Sequence, residues 1–418
     1  MTRTPRPSGP TATPAPTGTA PTSPATVGRA ARTLLFTGKG GVGKTTVAAA
    51  TAVLSARRGL KTLVLSTDAA HSLGDALDVP LGCEPGEIEP GLFAMQVDPR
   101  ARLERHWRHL QDQLVTVLDE LGMDAAAAEE MTVLPAAEEV LALLELRDQV
   151  RADRWDLVVV DCAPTAETLR LLALPEALSL YLSRAMPVGR RVARAVRTGL
   201  AGQRADPVLG ALQQLAAELA DVRAVLTDPG TGVRLVLTPE AVVLAEARRA
   251  LTALALYGYP VDAAVLNRLV PDGDDPWRAA RARGEREVVR AAEKAFEGLT
   301  LFKSAHVVVE PIGPDALAAL AAELYDQQDP LLLQPAEPAL RVERSGRELV
   351  LVLRLPLAER GDVDLSRQGD DMVVSVGGSR RALTLPSALR RCVVVGASLR
   401  QGCLRVRFEP DPELWRPL

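Results

Sequence analysis

Nine consecutive residues hold the densest chemistry in this 418-residue chain: Gly38, Lys39, Gly40, Gly41, Val42, Gly43, Lys44, Thr45 and Thr46. They satisfy the Gly-x-x-x-x-Gly-Lys-Thr spacing of a phosphate-binding loop. The glycines let successive backbone N–H groups curl around phosphate oxygens, and the N-terminus of a following helix adds a favourable dipole. At that spacing Lys44 reaches the β- and γ-phosphates of a nucleoside triphosphate such as ATP, and the Thr45 hydroxyl is positioned to ligate Mg2+. The loop also holds a second lysine, Lys39, directly after its first glycine. Only five lysines occur among the 49 basic residues of the whole chain, so two in one loop require an explanation.

Two carboxylates extend the site. Asp161 ends the apolar run "LVVVD", where a strand delivers an acid beside the loop; it is the natural partner of Mg2+ through the ion's waters. Asp68, in "STDAAHSLGD", follows another apolar run. It can accept a proton from, or orient, a water attacking the γ-phosphate. The competing reading of that stretch is a helix cap supplied by Asp68 or Ser66.

A constellation of this kind needs strands that end together. "TLLFTG", "TLVLSTD", "LFAMQVD", "WDLVVVDCAP", "RLVLTPE" and "AAVLNRLV" read as buried strands separated by stretches of helical period. They predict an α/β unit with a mostly parallel sheet, over residues 32–328. Within it, residues 176–230 read as an inserted helical subdomain. Val188, Val192, Val196 and Leu200 recur every four residues there, followed by Leu212, Leu215, Leu219 and Val222. Residues 1–31, rich in Pro, Thr and Ala, predict a disordered tail. The proline-bearing stretch 329–340 predicts a linker. Residues 341–410 alternate in the manner of a small all-β sandwich, with 411–418 as a C-terminal tail.

Composition excludes several classes. A formal net charge of −4 gives no overall attraction to nucleic acid or to an anionic membrane. No run is apolar enough to cross a bilayer, and no signal-peptide core opens the chain; a cytoplasmic protein is expected. Cys83, Cys162, Cys392 and Cys403 are scattered, so neither zinc nor an iron–sulfur cluster is expected. His106 and His109 lie three apart without further ligands and read as a solvated face. The same reading applies to Arg190, Arg191, Arg194 and Arg197, which lie beside the valine stripe.

The loop with its forward lysine, together with "STDAAHSLGD" and "DCAPTAETLRLLALP", resembles the arsenical pump-driving ATPases. That family also contains the ATPases that target tail-anchored membrane proteins. The likeness runs from about Thr33 to Asp329 and includes "VLPAAEEVLALLEL", "VLTPEAVVLAEARRAL" and "AVLNRLVP". It implies that the protein hydrolyses ATP, that Lys39 crosses a dimer interface to the phosphates held by the other subunit, and that a chain with one cassette forms a homodimer. It further implies a water-orienting role for Asp68, a nucleotide-sensing switch from Asp161 to Leu174, and adenine recognition by Asn267. The implied client is hydrophobic, a protein segment or a lipid, with room for a membrane partner and none for nucleic acid.

The departures from the family pattern are specific. The first switch reads Asp68-Ala69-Ala70 instead of Asp-Pro-Ala. The second reads Asp161-Cys162-Ala163-Pro164-Thr165-Ala166-Glu167-Thr168, where Asp-Thr-Ala-Pro-Thr-Gly-His-Thr is usual. The thiolates that bind arsenite or antimonite, and the zinc Cys-x-x-Cys, have no counterparts. Arsenite or antimonite export therefore stands as an alternative lacking its soft ligands, and a membrane- or DNA-positioning partition ATPase as another. The C-terminal stretch, through "LRLP", "DVDLSRQGDDMVVSVGG", "RRALTLPSAL" and "ASLRQGCLRVRFEP", resembles the α-crystallin domain of small heat-shock proteins.

Overall fold

The computed structural model describes residues 31–68, 72–98, 137–165, 168–169, 173, 207–326, 328–331, 339–346 and 348–411. The expectations for the N-terminal tail, for His106 and His109, for the Val188–Leu200 stripe with its arginines, and for Ala166 and Glu167 lie outside those residues.

Fifteen strands and eight α-helices make up the described chain. In order, they begin β1 (Arg32–Thr37), α1 (Lys44–Arg57), β2 (Thr62–Ser66), α2 (Ser72–Leu77), β3 (Gly86–Glu89), β4 (Leu92–Gln96), α3 (Ala137–Arg151) and β5 (Leu157–Asp161). There follow α4 (Pro207–Leu226), β6 (Thr231–Leu237), α5 (Ala241–Tyr257), β7 (Val261–Leu269), α6 (Pro276–Ala295), β8 (Thr300–Ala305) and α7 (Pro314–Tyr325). These form an eight-stranded sheet in the order β3-β4-β2-β5-β1-β6-β7-β8. All neighbours pair in parallel except β3 with β4. The buried central strands carry near-continuous Val and Leu, as a sheet covered on both faces requires.

Register sets the site. Ser66 on β2 and Phe36 on β1 both stand opposite Asp161 on β5, so three strands end level with one another. Helix α1, which starts at Lys44, buries Val47 to Val53 without interruption. Its alanines combine high helix propensity with small volume, which lets it lie close on the sheet beneath α7. The helix stops where Gly59 takes a φ of 91° and returns its N–H to the Ala56 carbonyl at 2.8 Å.

The second unit contains β9 (Leu340–Ser345), β10 (Glu348–Arg354), β11 (Val363–Gln368), β12 (Asp371–Val376), β13 (Ser379–Thr384), a short α8 (Ser387–Arg390), β14 (Cys392–Arg400) and β15 (Cys403–Pro410). Two antiparallel sheets, β14-β15-β10-β9 and β11-β12-β13, enclose one core. Leu351, Leu353, Met372, Val374, Leu383, Leu404, Val406 and Phe408 fill it, and Leu256 of α5 inserts into the same cluster.

The sandwich is therefore docked on the α/β unit through the C-terminal end of α5. The Thr252 hydroxyl donates to the Pro356 carbonyl at 2.6 Å, and the Tyr257 hydroxyl to the Arg380 carbonyl at 3.3 Å. Arg381, 5% exposed, donates from Nη1 to the Leu256 carbonyl at 2.5 Å. A cation at a helix C-terminus answers both the unpaired carbonyls and the helix dipole. Arg381→Ala leaves that buried carbonyl unpaired, at about 1–3 kcal/mol. Calorimetry should then resolve two unfolding transitions where the wild type shows one; a single undisturbed transition would show that Arg381 does not join the units.

Candidate functional site

The loop between β1 and α1 passes so close to β6 that its first glycine has no substitute. A Cβ on Gly38 would fall 2.1 Å from the Val236 carbonyl oxygen. Gly41 and Gly43 take φ of 79° and 91°, the left-handed region that favours glycine. At Gly43 a Cβ would also meet Asn267 Nδ2 at 2.5 Å. Gly40 is exposed at the loop's apex, while Val42 is buried under it.

Lys44 opens α1 and is 6% exposed; its ammonium turns back to donate to the Lys39 carbonyl at 3.4 Å. The Lys39 side chain is half-buried and has no hydrogen-bond or ion-pair partner among the described residues. The Thr45 hydroxyl pairs with that of Ser72, the first residue of α2, at 3.1 Å. Thr46 follows, half-buried in the first turn of α1.

Asp161 is fully buried at the end of β5. The Ser66 hydroxyl donates to its Oδ2 at 3.2 Å, whereas Oδ1 is buried with no hydrogen-bond partner. Burial pushes this carboxyl up to about 6, against the opposing pull of the Thr45 hydroxyl, the Lys44 ammonium and the Ser66 hydroxyl. A carboxylate kept dry beside a threonine hydroxyl and a lysine suits a divalent cation, whose charge would offset the burial. Below it, Cys162 is buried and its N–H bonds the Phe36 carbonyl at 3.1 Å. Burial pushes its thiol up, away from the thiolate that reactivity requires.

Asp68 stands just beyond β2. Its N–H donates to Ser66 Oγ at 3.2 Å, and its carbonyl accepts from Gln96 Nε2 at 2.7 Å. The Ser66 hydroxyl thus donates to Asp161 while accepting from the Asp68 backbone. The chain leaving β5 touches the loop directly, the Thr165 N–H donating to the Gly38 carbonyl at 3.1 Å.

Asn267 reaches the loop from β7. Its Nδ2 donates to the Val42 carbonyl at 2.9 Å, and its Oδ1 accepts the Arg268 N–H at 3.0 Å. Lys39, Lys44, Thr45, Asp68, Asp161 and Asn267 thus all gather at the carboxyl ends of β1, β2, β5 and β7, where open α/β sheets place their ligands. Three participants are absent from the sequence reading: Gln96, Ser72 and Arg268. Gln96 alone carried a visible signal, as a polar residue closing the apolar run "LFAM".

Among the described residues no helix is long and apolar enough to cross a membrane, and no group of three or more His, Cys, Asp or Glu residues could hold a metal ion.

Residues 31–326 match the family of anion-transporting ATPases, and residues 346–408 match the HSP20-like domain found in the arsenical-pump members. An uncharacterized protein of Streptomyces coelicolor is 41% identical over 92% of this chain and 99% of its own length. A Chlorobaculum tepidum protein, provisionally named an arsenical pump-driving ATPase, is 34% identical over 91% of this chain and 97% of its own. The ATPase GET3 of Chaetomium globosum is 28% identical over 69% of this chain and 88% of its own.

Proposed function

The chain belongs to the anion-transporting ATPase family and carries an HSP20-like domain, and from that premise we propose that it is a homodimeric switch with a hydrophobic client. ATP hydrolysis would open and close an apolar groove built from the helical inserts of two copies, releasing a protein segment or a lipid. The boundaries read from sequence, 32–328 for the ATPase unit with its insert at 176–230 and 341–410 for the sandwich, belong to the same proposal.

The observation that carries the chemistry is the buried, half-unsatisfied Asp161 beneath the loop, between Lys44 and Ser66. Thr45 would ligate Mg2+ directly and Asp161 through water. When bound, that ion would neutralise charge building on the β- and γ-phosphate oxygens. Lys44 binds the same phosphates, and Asp68 orients the attacking water. Asn267 has one N–H and one lone pair left over for the adenine edge. Lys39, uncommitted among the described residues, is the cation one subunit would offer to the nucleotide of the other.

Arsenite or antimonite export has less support. A soft-metal site needs converging thiolates, but Cys162 lies under the loop and Cys83 before β3, while Cys392 and Cys403 sit at opposite ends of one hairpin.

The test uses Asp68→Asn, which should slow hydrolysis and hold the ATP-bound form. With ATP it is expected to sediment as a dimer and to co-purify with lipids or apolar proteins that ADP releases. Adding Lys39→Ala should return it to a monomer while nucleotide affinity stays within about threefold, since the lost contact is intermolecular. A monomer under both nucleotides, or no apolar species in the ATP form, would refute the switch.

A further inference from the structure

Among the described residues, Arg268 is one of six non-glycine residues with a positive φ, 61°. A bulky side chain is disfavoured in that region and persists only where surrounding structure over-determines it. Here the compensation is visible. Arg268 Nη1 donates to the Gly41 carbonyl at 2.8 Å, and the adjacent Asn267 Nδ2 donates to the next carbonyl, Val42, at 2.9 Å. Two consecutive residues of β7 therefore grip two consecutive carbonyls of the loop from outside.

In a trans peptide the carbonyl and the N–H of the same unit point in opposite directions. Drawing the Gly41 and Val42 carbonyls outward aims the N–H groups of Val42 and Gly43 to the other side, which is the concave side that cradles phosphate. The grip is itself braced. Buried Glu285 of α6 accepts the Val270 N–H at 2.9 Å and Arg281 Nε at 2.7 Å, and Arg281 Nη2 bonds Glu240 at 3.0 Å. The chain leaving Arg268 is thus tied to both α6 and the start of α5.

We propose that Asn267 and Arg268 form an outer clamp that presets the Val42 and Gly43 amides for the nucleotide phosphates, with Arg268 as a positioning residue. The inference rests on the ATPase reading of the loop and adds to it a residue outside the nine-residue motif.

Arg268→Gly separates backbone from side chain, because glycine adopts φ of about 60° without strain. In the full chain, the variant should melt at or above the wild-type temperature and yet bind Mg2+·ADP about fivefold more weakly, consistent with the loss of one charge-assisted hydrogen bond at an exposed position. Arg268→Lys, which keeps a donor, should stay within about twofold of wild type. A residue that merely supported the fold would move stability and affinity together. Unchanged affinity in Arg268→Gly would overturn the clamp, as would an equal loss in Arg268→Lys. If wild type binds no Mg2+·ADP in calorimetry, the ATPase reading itself fails; if it binds and Lys44→Ala does not, any failure belongs to the clamp alone.

Discussion

Lys44→Ala is expected to reduce ATP turnover by about 10^3-fold or more, the scale on which removing a preorganised charge from a phosphoryl-transfer site acts. Lys44 is 6% exposed at the first position of α1, with its ammonium beside the loop carbonyl of Lys39 and near the carboxyl of Asp161. Nothing else in the described site replaces it: Lys39 lies at the front of the loop, and Arg268 is engaged on the loop's outer side. The substitution should also raise the Asp161 carboxyl further, because an opposing positive charge disappears while the burial remains. Lys44→Arg should fare little better, since a planar fork does not occupy the volume of an ammonium in so closed a pocket. Phosphate release measured beside circular dichroism distinguishes a dead site from an unfolded one. Turnover within tenfold of wild type in a folded Lys44→Ala protein would remove the loop from the chemistry altogether.

The parts of the site legible in the sequence are those whose partners are close in the chain or dictated by the fold. The glycine pattern announces itself because the backbone conformation demands it: Gly41 and Gly43 have positive φ, and Gly38 has no room for a Cβ. Asp161 was legible because a run of Val ends in a carboxylate, and parallel pairing then puts it level with Ser66. Within the α/β unit, two strands escaped the reading for different reasons. β3, "GEIE", is an exposed antiparallel edge with no apolar run, and β8, "TLFKSA", has its apolar run interrupted by Lys303, whose ammonium reaches out to Glu293 at 2.6 Å.

Contacts across long sequence separations were invisible. Nothing local in "NRL" reveals that Asn267 and Arg268 hold carbonyls some 225 residues earlier. Likewise, the alternating strands beyond residue 340 announced a sandwich but not its seat on α5. Thr252 and the Leu256 carbonyl become docking groups only once the helix end and Arg381 are brought together.

The strongest hidden contact lies beneath α1, and it yields the largest expected loss of stability. Arg234, 1% exposed on β6, looks in sequence like the polar start of a buried strand. In the structure its Nε and Nη2 bond Asp262 Oδ2 at 3.2 and 3.1 Å, and Nη1 bonds the Tyr325 hydroxyl at 3.2 Å. Nη2 also reaches the Pro330 carbonyl. The rings of Phe36, Phe302 and Tyr325 surround the guanidinium at 5.7–5.9 Å, and the Tyr325 hydroxyl meets Thr51 of α1 at 2.6 Å. One cation thus joins β6, β7, α7 and, through Tyr325, the helix that carries Lys44.

Removing it strands Asp262, 5% exposed, whose carboxyl burial pushes up and whose main opposing influence is Arg234 itself. Arg234→Ala should therefore cost about 3–5 kcal/mol in urea unfolding, the penalty of a buried charge left without its partner. Replacing both residues, Arg234→Met with Asp262→Leu, should be less costly than the single change, because desolvation of both ions is then avoided. The sign of the pH dependence follows from the raised carboxyl. In Arg234→Ala the folded protein holds a proton on Asp262 that the unfolded chain releases near the ordinary carboxylate value. Stability is then retained at low pH and lost as pH rises from about 4 toward the elevated folded value. The deficit relative to wild type should accordingly be smaller at about pH 5 than at about pH 8. A deficit independent of pH, or a double variant no more stable than Arg234→Ala, would mean that the aromatic packing around the guanidinium carries the stability and the ion pair does not.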